Sequence, residues 1–146
     1  MPPTRELHVP QFDDAAISAA PVEEVWKLLY DPARFPEWWR GIGTVEPRAH
    51  EGRGDFTMFT DGYPDFPMPQ LLRTDRAAGR ITISCQVSDI DVTWQLADTA
   101  PGTAITVRVE LPEAESHRLD GQRELITASL ANLSELAQGR ERQVKR

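Results

Sequence analysis

The sequence predicts an α+β domain: a curved antiparallel sheet of about seven strands wrapped around a long C-terminal helix. Three observations predict it. After Gly43 the apolar residues recur every second position, as in half-buried antiparallel strands. From about Ser116 to Gln138 they recur at helical spacing instead. Between the first extended segment and the strands lie two short helical stretches, each punctuated by proline.

Each element has its own local cause. His8 to Ser18 reads as an extended segment. In "AAPVEEVWKLLYDP", Pro21 sits at a first helical turn, where its missing N–H costs nothing, and Glu23 and Glu24 follow where the helix dipole favours acids. Val22, Val25, Trp26 and Leu29 share a face, and Asp31-Pro32 ends the helix. A second short helix fits Ala33 to Trp38. Phe56 and Met58 face one way in "DFTMFT". Ile81, Ile83, Cys85 and Val87 do so in "RITISCQV", Val92, Trp94 and Leu96 in "DVTWQLA", and Ile105, Val107, Val109 and Leu111 in "TAITVRVEL". Ser88-Asp89 and "DTAPG" supply turns between neighbouring strands. Leu119, Ile126, Leu130, Leu133 and Ala137 form the stripe of the last helix, widened by Leu125 and Leu136, and Gly139 terminates it. Such a sheet must cover its apolar face, and only this helix is long and amphipathic enough to do so.

The chain of 146 residues fits one domain, residues 1–146, with 140–146 a frayed basic tail. A formal net charge of −7 argues against nucleic acid and anionic membrane as partners, since both demand a basic face. There is no apolar run at the N-terminus and no stretch approaching a membrane span. With its single cysteine, Cys85, the chain reads as cytoplasmic. The sequon at Asn132 falls inside the helical pattern and reads as coincidence. His8, His50 and His117 are scattered without metal-ligand spacing, so neither a metal nor a cofactor is expected.

The opening "ISAAPVEEVWKLLYDPARFPEWWRGIGTVE" resembles the start of the polyketide cyclase/dehydrase and lipid-transport proteins. These belong to the START-like (SRPBCC) helix-grip superfamily that includes the birch-pollen-allergen proteins. Ile17, Ala20, Pro21, Glu24, Val25, Trp26, Leu29, Asp31, Pro32, Pro36 and Trp38 carry the resemblance, and Gly102-Thr103 matches the Gly-Thr that opens the family's last strand. The resemblance implies a deep apolar cavity between sheet and helix that binds lipids, sterols, polyketides or plant hormones, with cyclisation or dehydration in some members. It specifies the fold well and the function poorly.

On that fold the ligand-binding candidates are Trp39, Phe56, Met58, Phe66, Met68, Ile83, Cys85, Trp94, Val107, Arg123, Ile126 and Leu130. Core packing competes with ligand contact at Trp94. A buried thiol such as Cys85 is more often core than nucleophile, and Arg123 more often snorkels along a helix flank than enters a cavity. Polar groups that could act as acid or base are Tyr63, Arg73, Thr74, His117, Asp120 and Arg123, none in a motif. Arg73 and Thr74 cannot both face inward. The proline-rich "TDGYPDFPMPQ", Thr60 to Gln70, is unlike a regular central strand; it reads as a lid over the cavity mouth or as an ordered turn with its own apolar cluster. Trp38 is assigned to packing. Trp39, its neighbour, is expected to point away from it, either to solvent or into the mouth.

Three functions remain open. One is a polyketide cyclase/dehydrase-like protein (a cyclase, dehydratase or aromatase without metal) holding a small hydrophobic or aromatic ligand. Another is a non-catalytic carrier or sensor of a lipid-like ligand, and the third is a partner-binding module. The first two require a cavity of about 300–1,000 Å³. A monomer or weak homodimer is expected.

Overall fold

The computed structural model describes residues 10–47, 55–100 and 102–139. Strand β1 (Gln11–Ser18) leads into helix α1 (Val22–Leu29) and a 3₁₀ helix (Pro32–Glu37). Six strands follow: β2 (Ile42–Pro47), β3 (Phe56–Thr60), β4 (Met68–Asp75), β5 (Arg80–Cys85), β6 (Asp91–Asp98) and β7 (Thr103–Glu110). A second 3₁₀ helix (Glu113–Arg118) runs directly into α2 (Leu119–Ala137). The seven strands form one antiparallel sheet in the order β1-β7-β6-β5-β4-β3-β2. Its concave face meets α2, α1 and the first 3₁₀ helix in a single apolar core.

The alternating segments are half-buried strands. Ile81, Ile83, Val92, Trp94, Leu96, Ile105, Val107 and Val109 are all buried, and their chain neighbours are not. Val87 departs from the expected pattern and is exposed, because β5 ends at Cys85 and residues 86–88 are already turn. Asp89, at φ 62°, completes that turn, a left-handed conformation that Asp tolerates.

The prolines do not exclude β4. Pro69 lies opposite Thr57 in the β3–β4 ladder, ahead of the point where pairing with β5 begins at Gln70. Its carbonyl still accepts from the Gln86 N–H at 2.9 Å, just past the end of β5, so its missing N–H falls at the margin of the ladder, where a proline is tolerated. Inward side chains on β4 are Met68, Gln70 and Leu72, while Arg73 and Thr74 are both exposed.

Three side-chain anchors fix the helices to the sheet. Thr103 Oγ1 donates to the Ala20 carbonyl at 2.8 Å, so the start of β7 holds the entry to α1. Gly102 precedes it because a Cβ there would stand 2.2 Å from the Ser18 carbonyl oxygen. At the far end of α2, Ser18 Oγ donates to the Ser134 carbonyl at 3.0 Å, and Gln138 Oε1 accepts from the Ala19 N–H at 2.6 Å.

Candidate ligand cavity

The segment from Trp39 to Ile42 builds one wall of an apolar cavity that opens to solvent on one side. Trp38 closes the first 3₁₀ helix with φ −138° and ψ −24°, and Gly41 takes φ +97°, a conformation that favours glycine. Gly43 sits at a register shift in the β2–β3 pairing, a bulge that re-aims the chain. Two side chains from α2 hold this segment. Ser129 Oγ accepts from the Arg40 N–H at 2.8 Å, and Asn132 Nδ2 donates to the Trp38 carbonyl at 3.2 Å.

Trp38 and Trp39 do not point apart. Their rings stack at 5.3 Å with an interplanar angle of 25°. The expectation of opposite directions holds within a regular helix or strand, and the backbone at Trp38 is neither. Both rings meet Trp94 edge-to-face, at 5.2 and 5.4 Å, and both touch Phe35. Phe35 in turn contacts Phe56 at 5.5 Å. This aromatic cluster occupies the middle of the concave face. Trp38, Trp94, Phe35 and Phe56 are essentially solvent-free, and Trp39 is half-buried.

What the cluster leaves open is a cavity of about 130 Å³ beside it. That is smaller than the expected range, and the indole and phenyl rings filling the rest of the concavity are the reason. Six of the expected ligand contacts line it: Trp39, Phe56, Met58, Met68, Ile83 and Cys85. Gly41, Ile42, Ile90, Val92 and Leu125 add further apolar surface, and Arg40, Thr60, Gln70, Ser88, Arg118 and Gln122 supply polar atoms.

The other expected positions lie elsewhere. Trp94 and Val107 are core behind the cavity, as are Ile126 and Leu130. Arg123 is exposed and lies over the Phe12 ring, 4.9 Å from its centroid, outside the cavity. The error is one of helix phase. Each residue turns a helix by about 100°, so Ile126, Leu130 and Leu133 face the core. Arg118, Gln122 and Leu125, at spacings of four and three, face the cavity instead. Phe66 and Tyr63 project to solvent from the β3–β4 turn, so this turn neither caps the cavity nor buries an apolar cluster of its own. Arg73, Thr74, His117 and Asp120 are exposed and do not line the cavity.

Gln70, Ser88 and Ser129 are the functional candidates that periodicity did not single out. Gln70 is buried and its Nε2 donates to the Met68 carbonyl at 3.1 Å. Its amide oxygen has no partner among the described residues. Ser88 is buried beside it on the cavity wall and accepts from the Ile90 N–H at 3.4 Å. Inward position on a strand next to a proline was the available signal for Gln70. Cys85 is a free, buried thiol.

Among the described residues, no aspartate, glutamate or histidine lines the cavity. Among the described residues no three His, Cys, Asp or Glu side chains converge as metal ligands, and no helix is long and apolar enough to cross a membrane. Away from the cavity, hydrogen bonds donated to the Glu37 and Asp13 carboxylates hold the Arg34 and Arg108 guanidinium groups above their ordinary values.

Solved structures share this architecture. The aromatase/cyclase ZhuI from Streptomyces sp. R1128 superposes with a TM-score of 0.74 at 15% identity, over 93% of this chain and 98% of that one. The di-domain aromatase/cyclase StfQ of the steffimycin biosynthetic pathway gives 0.75 at 14% identity, over 94% of this chain and 54% of that one. A protein from Nitrosomonas europaea gives 0.70 at 19% identity, over 90% and 96%. At these identities the likeness establishes the fold alone. None of the curated protein sequences compared with the chain matches it. The family model described as "Polyketide cyclase / dehydrase and lipid transport" matches residues 10–138, and the chain belongs to that family.

Proposed function

We propose that this protein is a polyketide cyclase/dehydrase-like binder of a small aromatic molecule, held in the cavity beside Trp39. The observation that carries this reading is the cavity itself. It has about 130 Å³ of space, aromatic and aliphatic walls, and two buried polar side chains, Gln70 and Ser88. A cavity of about 150 Å³ suffices for benzene in an apolar protein interior, so the match is to a single ring, with any substituent directed to the open side. A fused polycycle or a long acyl chain exceeds it, which weighs against the carrier of a lipid-like ligand. Trp39 offers an aromatic edge or face to such a ring. The Gln70 amide oxygen can accept, and the Ser88 hydroxyl can donate, a hydrogen bond.

Chemistry on the ligand would depend on those same groups. With no carboxylate or imidazole among the described wall residues, the wall they form contributes to a ring closure by folding the substrate and excluding water. The Thr60 and Ser88 hydroxyls and the Cys85 thiol are the weakly acidic groups on its wall.

Two measurements test the reading. Native mass spectrometry of the protein as purified should show a small bound mass or an empty chain, not a long-chain lipid. Titration with 3-phenylpropanol should shift tryptophan fluorescence saturably, because Trp39 borders the cavity. A bound fatty acid, or no saturable shift up to the solubility limit, overturns it.

A further inference from the structure

The cavity mouth has a charge opposite to that of the molecule, which carries a formal net charge of −7. Of the described charged residues, only arginines line it, Arg40 and Arg118. They arrive from different parts of the chain. Arg40 follows the first 3₁₀ helix, its backbone N–H held by Ser129 Oγ at 2.8 Å. Arg118 ends the second 3₁₀ helix at the start of α2.

Their guanidinium groups are only partly used. Arg118 Nη1 donates to Glu115 Oε1 at 3.0 Å, which leaves the rest of a five-donor fork. The Arg40 side chain has no ion pair or hydrogen bond among the described residues. Gln122 lies beside them on the wall, one helical turn beyond Arg118.

We propose that this mouth selects an anion: the ligand is a monocyclic aromatic carboxylic acid whose ring enters the cavity and whose carboxylate stays at the rim between Arg40 and Arg118. The proposal rests on the aromatic-binding reading above and adds the headgroup to it. The division of labour is physically economical. The ring is desolvated against Trp39, Phe56 and Ile83, where burial is favourable. The carboxylate stops where water still reaches it, so its full desolvation cost is avoided. Guanidinium–carboxylate geometry then supplies paired, charge-assisted hydrogen bonds.

The test compares two probes of nearly equal size, 3-phenylpropionate and 3-phenylpropanol, with titrations read by tryptophan fluorescence and calorimetry. The acid should bind about tenfold more tightly than the alcohol at low ionic strength. About 0.5 M salt should close most of that gap, since exposed charges are screened. Arg40→Gln and Arg118→Gln should each remove most of the acid's advantage over the alcohol. Urea unfolding midpoints close to that of the parent protein show that the variants fold. Equal affinities for acid and alcohol, or an advantage that survives both substitutions, overturn the anion proposal and leave the aromatic-binding reading standing. Binding of neither probe overturns both.

Discussion

Trp94 and Trp38 are both solvent-free members of the aromatic cluster, yet their indole N–H groups differ. Trp38 Nε1 donates to the Leu28 carbonyl at 3.1 Å, near the end of α1. Trp94 Nε1 is buried with no hydrogen-bond partner. The same substitution should therefore cost different amounts at the two sites. Trp38→Phe leaves a helix-end carbonyl without its donor, so it should destabilise by about 1 kcal/mol more than Trp94→Phe in urea unfolding. Equal losses would mean that the Trp94 N–H interacts with the faces of the rings around it. Trp94→Ala should cost about 3–5 kcal/mol, as expected for truncating a large buried aromatic. A loss below about 1 kcal/mol would contradict its place in the core. The doublet at Trp38-Trp39 was legible as a special feature of the sequence, but its direction was not. Alternation decides where side chains point only in a repeating backbone, and the chain leaves a 3₁₀ helix between these two residues.

At the scale of elements, the sequence motifs are most informative where they mark anchors. Gly102-Thr103 joins β7 to the entry of α1 through a steric requirement and a hydrogen bond at adjacent positions. Gly102→Ala should cost about 3 kcal/mol or more, because its Cβ would overlap backbone that cannot retreat without breaking the β1–β7 pairing. Thr103→Val keeps the shape and β propensity, loses the bond to Ala20, and should cost about 1–2 kcal/mol. Thermal or urea unfolding of the two variants orders these costs, and a tolerated Gly102→Ala would refute the close approach. The helices were less legible than the strands. A period of two gives a strand only two faces, so the apolar inward residues of β5, β6 and β7 could be read directly, whereas Val87 falls past the end of β5. A helix offers a continuous range of phases, and a wide stripe such as that of α2 does not say which flank meets a cavity. Hence Arg123 was expected where Arg118 and Gln122 stand. Ser129 was invisible for another reason. A serine in an apolar stripe carries no signal of the distant Arg40 N–H that it satisfies.

The whole molecule balances a filled core against a small void. The fold was legible because strand alternation, proline stops and the closing helix agree with one another. The cavity's size was not, since it depends on how five aromatic side chains interlock, which no periodicity encodes. Close-packed interiors tolerate few voids larger than a water molecule, and one of about 130 Å³ lowers stability unless a ligand fills it. Filling it from within should therefore separate stability from binding. Cys85 is suited to this because it is small, borders the cavity and takes part in no disulfide. Cys85→Met extends a flexible apolar chain into the space and should raise stability by about 0.5–2 kcal/mol, the usual gain from cavity filling. The same variant should lose most of its affinity for 3-phenylpropanol, and ligand should no longer raise its melting temperature as mass action requires for a binder. If Cys85→Met destabilises the protein instead, the space beside β5 is already occupied by relaxed side chains, and the cavity cannot be the binding site. If it stabilises the protein and the alcohol still binds with unchanged affinity, the ligand sits elsewhere on the molecule.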